Sequence, residues 1–142
     1  MDFNSQMEMK GRLTISINDE VVRDIDNLVV TTGKGYVASR MKDATATAMS
    51  HMAVGTGSTA AAANDTTLGG ESARVALTST TVSGAVITYV ATFAAGTGTA
   101  ALTEAAVLNA SSSGTMLCRT VFAVVNKSAN DSMSVSWSVT AS

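Results

Sequence analysis

The sequence has no proline, one cysteine, one histidine and one tryptophan among its 142 residues, and only 14% of them are charged. A single cysteine excludes an internal disulfide, and no Cys/His cluster has the spacing of a structural zinc site, so neither staple supplements the core. Nine basic and eleven acidic residues leave a formal net charge of −2, without the cationic field that holds a nucleic-acid backbone regardless of its sequence. No run approaches the ~20 apolar residues of a membrane helix, and MDFNSQMEMKG at the start lacks a basic region followed by an apolar core. These absences lead us to expect a soluble protein made in the cytoplasm, with no nucleic-acid or membrane partner. What is present is 46% apolar content, rich in small residues, which suits one domain with a single core. Its stability has to come from packing, within the chain or between chains.

The pattern RLTISIN from Arg12 alternates apolar and polar positions with the period of a half-buried strand. Asn18 to Glu20 form a polar turn, and VVRDIDNLVV runs on to Val30, predicting an antiparallel hairpin. TTGKGYVASRM then changes period: Thr32 is placed to cap, and Tyr36/Arg40 and Val37/Met41 stand four apart, as on a short helix near residues 33–42. A connection over 42–72 follows, in which only MSHMAV reads as a strand. A loop of that length usually has a task, such as reaching a neighbouring subunit. Beyond it, strands are expected at RVALTS, AVITYVATF, EAAVLNA and TMLCRTVFAVV, and most clearly at SMSVSWSVT, where serines separate Met133, Val135, Trp137 and Val139. About eight strands and one short helix predict an all-β, antiparallel β-sandwich of jelly-roll type. It would occupy 10–142 as one domain behind an N-terminal arm, 1–9.

Gly55, Gly57 and Ala60 follow MSHMAV in the order of a dinucleotide-binding fingerprint. Such a fingerprint needs a strand, a helix with an apolar stripe and a second parallel strand, and STAAAANDTTLGG supplies none of this setting. The motif also recurs: AAGTGTAAL from Ala94 nearly repeats AVGTGSTAA from Ala53. Two such loops in a small β chain read as paired bends, in which glycine tolerates positive φ, and no cofactor is expected. His51 and Cys118 are the residue types of a nucleophile–base pair, but nothing signals a third, orienting group. Cys118 instead reads as a small core residue beside Met116 and Phe122, and His51 as a partly buried strand residue. Asp24 and Asp26, with Asp19 or Glu20 nearby, have the chemistry of a Ca²⁺ site, yet with Arg23 among them they read as a solvated edge strand. Neither Glu71 nor Glu104 belongs to a pair with acid–base geometry. Catalytic, cofactor and metal sites are therefore all expected to be absent.

In order along Lys10 to Thr140, the passages GRLTI, NLVVTTGKGYVASRM, MSHMAVGTGSTAAAANDTTLGGE, YVATFAAGTGTAALTEAAVLNA, GTMLCRTVF and VNKSANDSMSVSWSVT resemble small virion structural proteins of tailed bacteriophages. The resemblance implies a non-enzymatic β-sandwich that cements or decorates the capsid, or that builds a fibre or tail-tip attachment. The chain has no coiled coil, repeated β-turn or collagen-like segment of the kind that builds a fibre shaft, which favours the cement role. Its partners would be the major capsid protein and further copies of itself, and its place the outer capsid surface. Phe3, Met7 and Met9 of the arm are candidate contacts, each large side chain contributing ~1.5–3 kcal/mol on burial before ordering costs. Gly55, Gly57, Gly96 and Gly98 are the others. The alternative is a tail-fibre or receptor-binding module whose loops around Gly55 and Gly96 meet a host glycan or protein.

Overall fold

The computed structural model describes residues 8–42 and 46–142. Nine strands and one helix follow in the order β1 (Met9–Ile17), β2 (Glu20–Val29), α1 (Thr31–Lys42), β3 (His51–Gly55), β4 (Glu71–Ala76), β5 (Ser79–Ser83), β6 (Val86–Phe93), β7 (Ala100–Leu108), β8 (Met116–Lys127) and β9 (Met133–Ala141). The protein is all-β and antiparallel, as its alternating pattern predicts. β5, which falls between the expected strands RVALTS and AVITYVATF, is the strand that the periodicity misses: STTVS is exposed at every position and so carries no apolar alternation.

The strands form a single sheet in the order β4-β3-β7-β8-β2-β1-β9-β6-β5. Its two edge strands are consecutive in the chain, separated only by Leu77 and Thr78. A flat sheet of this size would hold its edges roughly 38 Å apart, whereas the link from Ala76 to Ser79 reaches about 11 Å. The sheet therefore curls, and Leu77 and Thr78 join its ends by donating their N–H groups to Ser50 (2.9 Å) and Val90 (2.7 Å). The sheet is joined most narrowly where β2 meets β8, a ladder of only two pairs, Leu28↔Arg119 and Val29↔Cys118. Past these, Arg23 spans the opening seam and donates to the carbonyls of Ala123 and Val124.

The inner face carries the main core. Leu13, Ile15, Trp137, Phe93, Met52, Val107 and Cys118 are all completely or almost completely buried there. The outer face of β3, β7 and β8 is covered as well: Ala53, Ala106, Leu108 and Met116 form a second cluster with Val30 and Leu68. β7 is therefore buried on both faces. Helix α1 docks on this half through Gly33, where a Cβ would lie 2.1 Å from the Leu117 carbonyl oxygen. A glycine that weakens the helix locally is what lets its backbone touch β8. Thr32 does not cap the helix as the sequence suggests. The helix already begins at Thr31, and the Thr32 hydroxyl donates to the Met116 carbonyl at 3.1 Å. No helix among the described residues is long and apolar enough to cross a membrane.

Candidate functional site: two glycine-rich loops held by buried charges

The register places the two glycine-rich motifs at one end of the sheet. β3 ends at Gly55, β6 ends at Phe93 just before the second motif, and a Cβ on Gly98 would lie 3.5 Å from both Val54 and Ala73. The two loops are nonetheless built differently. Gly96 and Gly98 adopt positive φ (86° and 71°) and form the expected bend. Gly55 and Gly57 do not, so the paired-bend reading fails for them, and their need for glycine is one of space. A Cβ on Gly57 would sit 2.5 Å from Glu104 Oε2, and one on Gly55 would sit 2.4 Å from the Gly70 carbonyl oxygen.

Glu104, from the middle of β7, is fully buried beneath this loop. Its Oε2 accepts the N–H groups of Gly57 and Gly70 (both 2.7 Å), and its Oε1 accepts the N–H of Gly69 (2.8 Å). Arg119 of β8 donates to Oε1 from Nη2 at 3.0 Å, to the Thr59 carbonyl at 2.9 Å and, through Nη1, to Asp65 at 2.8 Å. Asp65 in turn accepts the N–H of Ala62 at 2.8 Å, and Thr103 donates to the Gly57 carbonyl at 2.8 Å. Burial opposes ionisation of Glu104. The hydrogen bonds from Gly69, Gly70, Arg119 and Gly57 outweigh it, and the carboxyl group titrates below its ordinary range. A glycine-rich loop that gathers N–H groups round an anion is the chemistry of a phosphate cradle. Here the anion is the protein's own carboxylate, and a nucleotide phosphate would have to displace it.

The second loop is held by the opposite charge. Lys127, at the end of β8 and almost fully buried, donates from Nζ to the Ala94 carbonyl at 3.0 Å. Buried groups thus hold both loops from below, while Ser58, Thr59, Ala60, Gly96 and Thr99 remain exposed. The long connection turns back onto its own sheet. Single-residue reading passes over Glu104 and Arg119 because only the β7–β8 register, Ala106↔Arg119 and Glu104↔Val121, places them on one face.

The remaining candidates separate. Phe3 and Met7 lie outside the described residues. Met9 opens β1, pairs with Ala141 and borders an apolar cavity of about 300 Å³ with Tyr36, Met49, Ile87 and Tyr89. Because Thr140 pairs with Val86, Met9 is at the start of β6, at the opposite end from the glycine loops. Cys118 lies on the inner face beside Val107 and Met52, and burial pushes its thiol well above the usual range. His51 pairs with Leu108 and points to the outer face, with Nδ1 2.7 Å from Ser50 Oγ. The sheet thus separates the two rather than pairing them. Asp24 and Asp26 each bond Arg12, at 2.8 Å from Nε and Nη1 respectively, and the first of these bonds holds the Asp24 carboxyl below its ordinary range. β2 lies between β1 and β8 in the sheet order, but its ladder with β8 holds only Leu28 and Val29, so at Asp24 and Asp26 the strand is paired on the β1 side alone and both carboxylates are solvated. No group of three or more His, Cys, Asp or Glu residues with metal-binding geometry occurs among the described residues.

Comparison of the chain with protein-family models, curated proteins and solved structures finds no match.

Proposed function

We propose that this chain is a non-enzymatic structural protein of a tailed-bacteriophage virion, a capsid cement or decoration protein that binds the major capsid protein and copies of itself. The observation that carries the proposal is the pair of glycine-rich loops at one end of the sheet, exposed on top and held from beneath by Glu104–Arg119 and Lys127. A loop already ordered loses little entropy on contact, and its uncharged Ser, Thr, Ala and Gly surface offers backbone groups and small apolar area without a charge to desolvate. The groups with chemical potential are spent inside the fold: Glu104 and Arg119 on the loop, Cys118 in the core. In this reading the body is a sandwich of jelly-roll type, its two layers being the β4-β3-β7-β8 and β2-β1-β9-β6-β5 halves of the curled sheet. Its place is the outer capsid surface, where contacts across subunit boundaries raise the cost of separating capsomers.

Immunogold electron microscopy of intact particles, with antibody against the protein, tests the proposal. Label spread over the shell, with copies in the hundreds by quantitative gel densitometry, is the expected result. Label confined to the tail would establish the tail-fibre or receptor-binding role instead, and particles without label would end the virion reading.

A further inference from the structure

We propose that β5 is a self-association edge, pairing antiparallel with β5 of a second copy about a two-fold axis through Thr81. This rests on the self-association in the function proposed above and assigns it a surface. The two edges of the sheet differ in a way that bears on partner choice. β4 is guarded: the Glu71–Arg74 ion pair (2.7 Å) lies along it, and its ladder with β3 is bulged between Val54 and Gly55. Charges and bulges are the devices by which sheets discourage edge-to-edge pairing. β5 has neither. Its ladder with β6 is regular from Ser79↔Val90 to Ser83↔Val86, and all five of its residues are exposed and uncharged.

The surroundings extend the contrast. The chain carries no charged residue from Val75 to Thr103, or from Ser132 to Ser142, so β5, β6 and β9 form an uncharged end of the sheet. The curl brings β4 into contact with β6. Among the described residues, Ser79–Ser83 make no backbone–backbone hydrogen bond except to β6. Val82, across from Ile87, is 69% exposed.

A second copy can pair with this edge without opposing charges, since Ser79–Ser83 carry none. With Thr81 on the axis, Thr81 faces its own counterpart, Thr80 faces Val82 and Ser79 faces Ser83. Thr–Thr is a favourable cross-strand pair, and no like charges meet. A symmetric interface of this kind closes at two copies.

Site-specific cross-linking in the full chain tests it. Identical residues at the axis lie about 4.5–5.5 Å apart between Cα atoms, within the ~4.4–6.8 Å that a disulfide requires. Two copies of residue 80 are diagonal neighbours at about 7–8 Å. Thr81→Cys oxidised with diamide is therefore expected to give a disulfide-linked dimer on a non-reducing gel and Thr80→Cys little, the buried Cys118 staying silent. In sedimentation, the wild type is expected to reach a dimer with rising concentration. Thr81→Lys, with two ammonium groups opposed, should weaken that dimer up to about fivefold. A wild type monomeric at every concentration, equal cross-linking at the two positions, a dimer indifferent to Thr81→Lys, or open-ended polymers from β5 pairing with β4 would each overturn the proposal. Particle labelling is read separately: a monomer that still coats particles overturns only the edge pairing, and a dimer that coats none overturns only the capsid role.

Discussion

Replacing Glu104 by Gln is the sharpest test of how the loop is held. The substitution preserves size but turns one acceptor oxygen into an NH₂ group facing N–H donors, either Gly57 and Gly70 or Gly69 and Arg119. It also removes the charge that Arg119, whose side chain is 3% exposed, relies on together with Asp65. Breaking a buried ion pair on one side costs about 3–5 kcal/mol, a large share of the roughly 5–15 kcal/mol that holds a domain folded. Urea unfolding followed by the fluorescence of Trp137, the only tryptophan and fully buried, reads that loss directly. The expected midpoint shift is about 2 M, given a slope of about 2 kcal/mol per molar urea. Limited proteolysis under native conditions should cut the variant within 56–70 before the wild type. Removing Arg119 from the variant, as Arg119→Met, should cost less than the two single losses added together, because the orphaned cation leaves with it. A loss under about 1 kcal/mol with an equally protected loop would refute the anchor, since even one buried unsatisfied donor costs more.

Three further outcomes follow from the same geometry. Because the folded-state pKa of Glu104 lies below its unfolded value of about 4.3, its contribution is present in full above that pH. It is lost as pH falls through the depressed folded value, so acid titration of wild type against Glu104→Gln should show the gap narrowing at low pH. Gly57→Ala should destabilise by about 1–3 kcal/mol by pushing a methyl group into the Glu104 carboxylate, whereas Gly35→Ala, in the helix with open space around it, should stabilise by about 0.5–1 kcal/mol; thermal melts of the two variants decide this. Cys118 should react with iodoacetamide only after unfolding, and rapid alkylation of the folded protein, followed by mass spectrometry, would contradict its burial.

Strands whose two faces differ were legible in the chain. β9 writes its buried face as Met133, Val135, Trp137 and Val139 between serines and a threonine, and the β1–β2 hairpin carries its turn at Asn18 and Asp19, both at positive φ. β7 was legible as a strand only from Glu104 on, its first residues having been read into the glycine-rich bend, and not as one buried on both faces, because Ala105, Ala106 and Val107 show no alternation. The loop's anchor was the least visible feature. Glu104 looked like an isolated acid, and the run from Gly55 to Gly70 looked like a free connection.

By itself the sequence determined local matters: which segments with one buried face extend, where the helix falls, that the second GTG motif bends, and that no disulfide supports the core. These follow from side-chain period and backbone preference, which act over a few residues. Only the tertiary structure decided that one sheet curls until its edges meet in a two-residue link, and that two nearly identical loops come to one end. It alone set one loop on a buried anion and the other on a buried cation. Such pairings join residues tens of positions apart, and a charge draws its meaning from the donors or acceptors that folding brings round it.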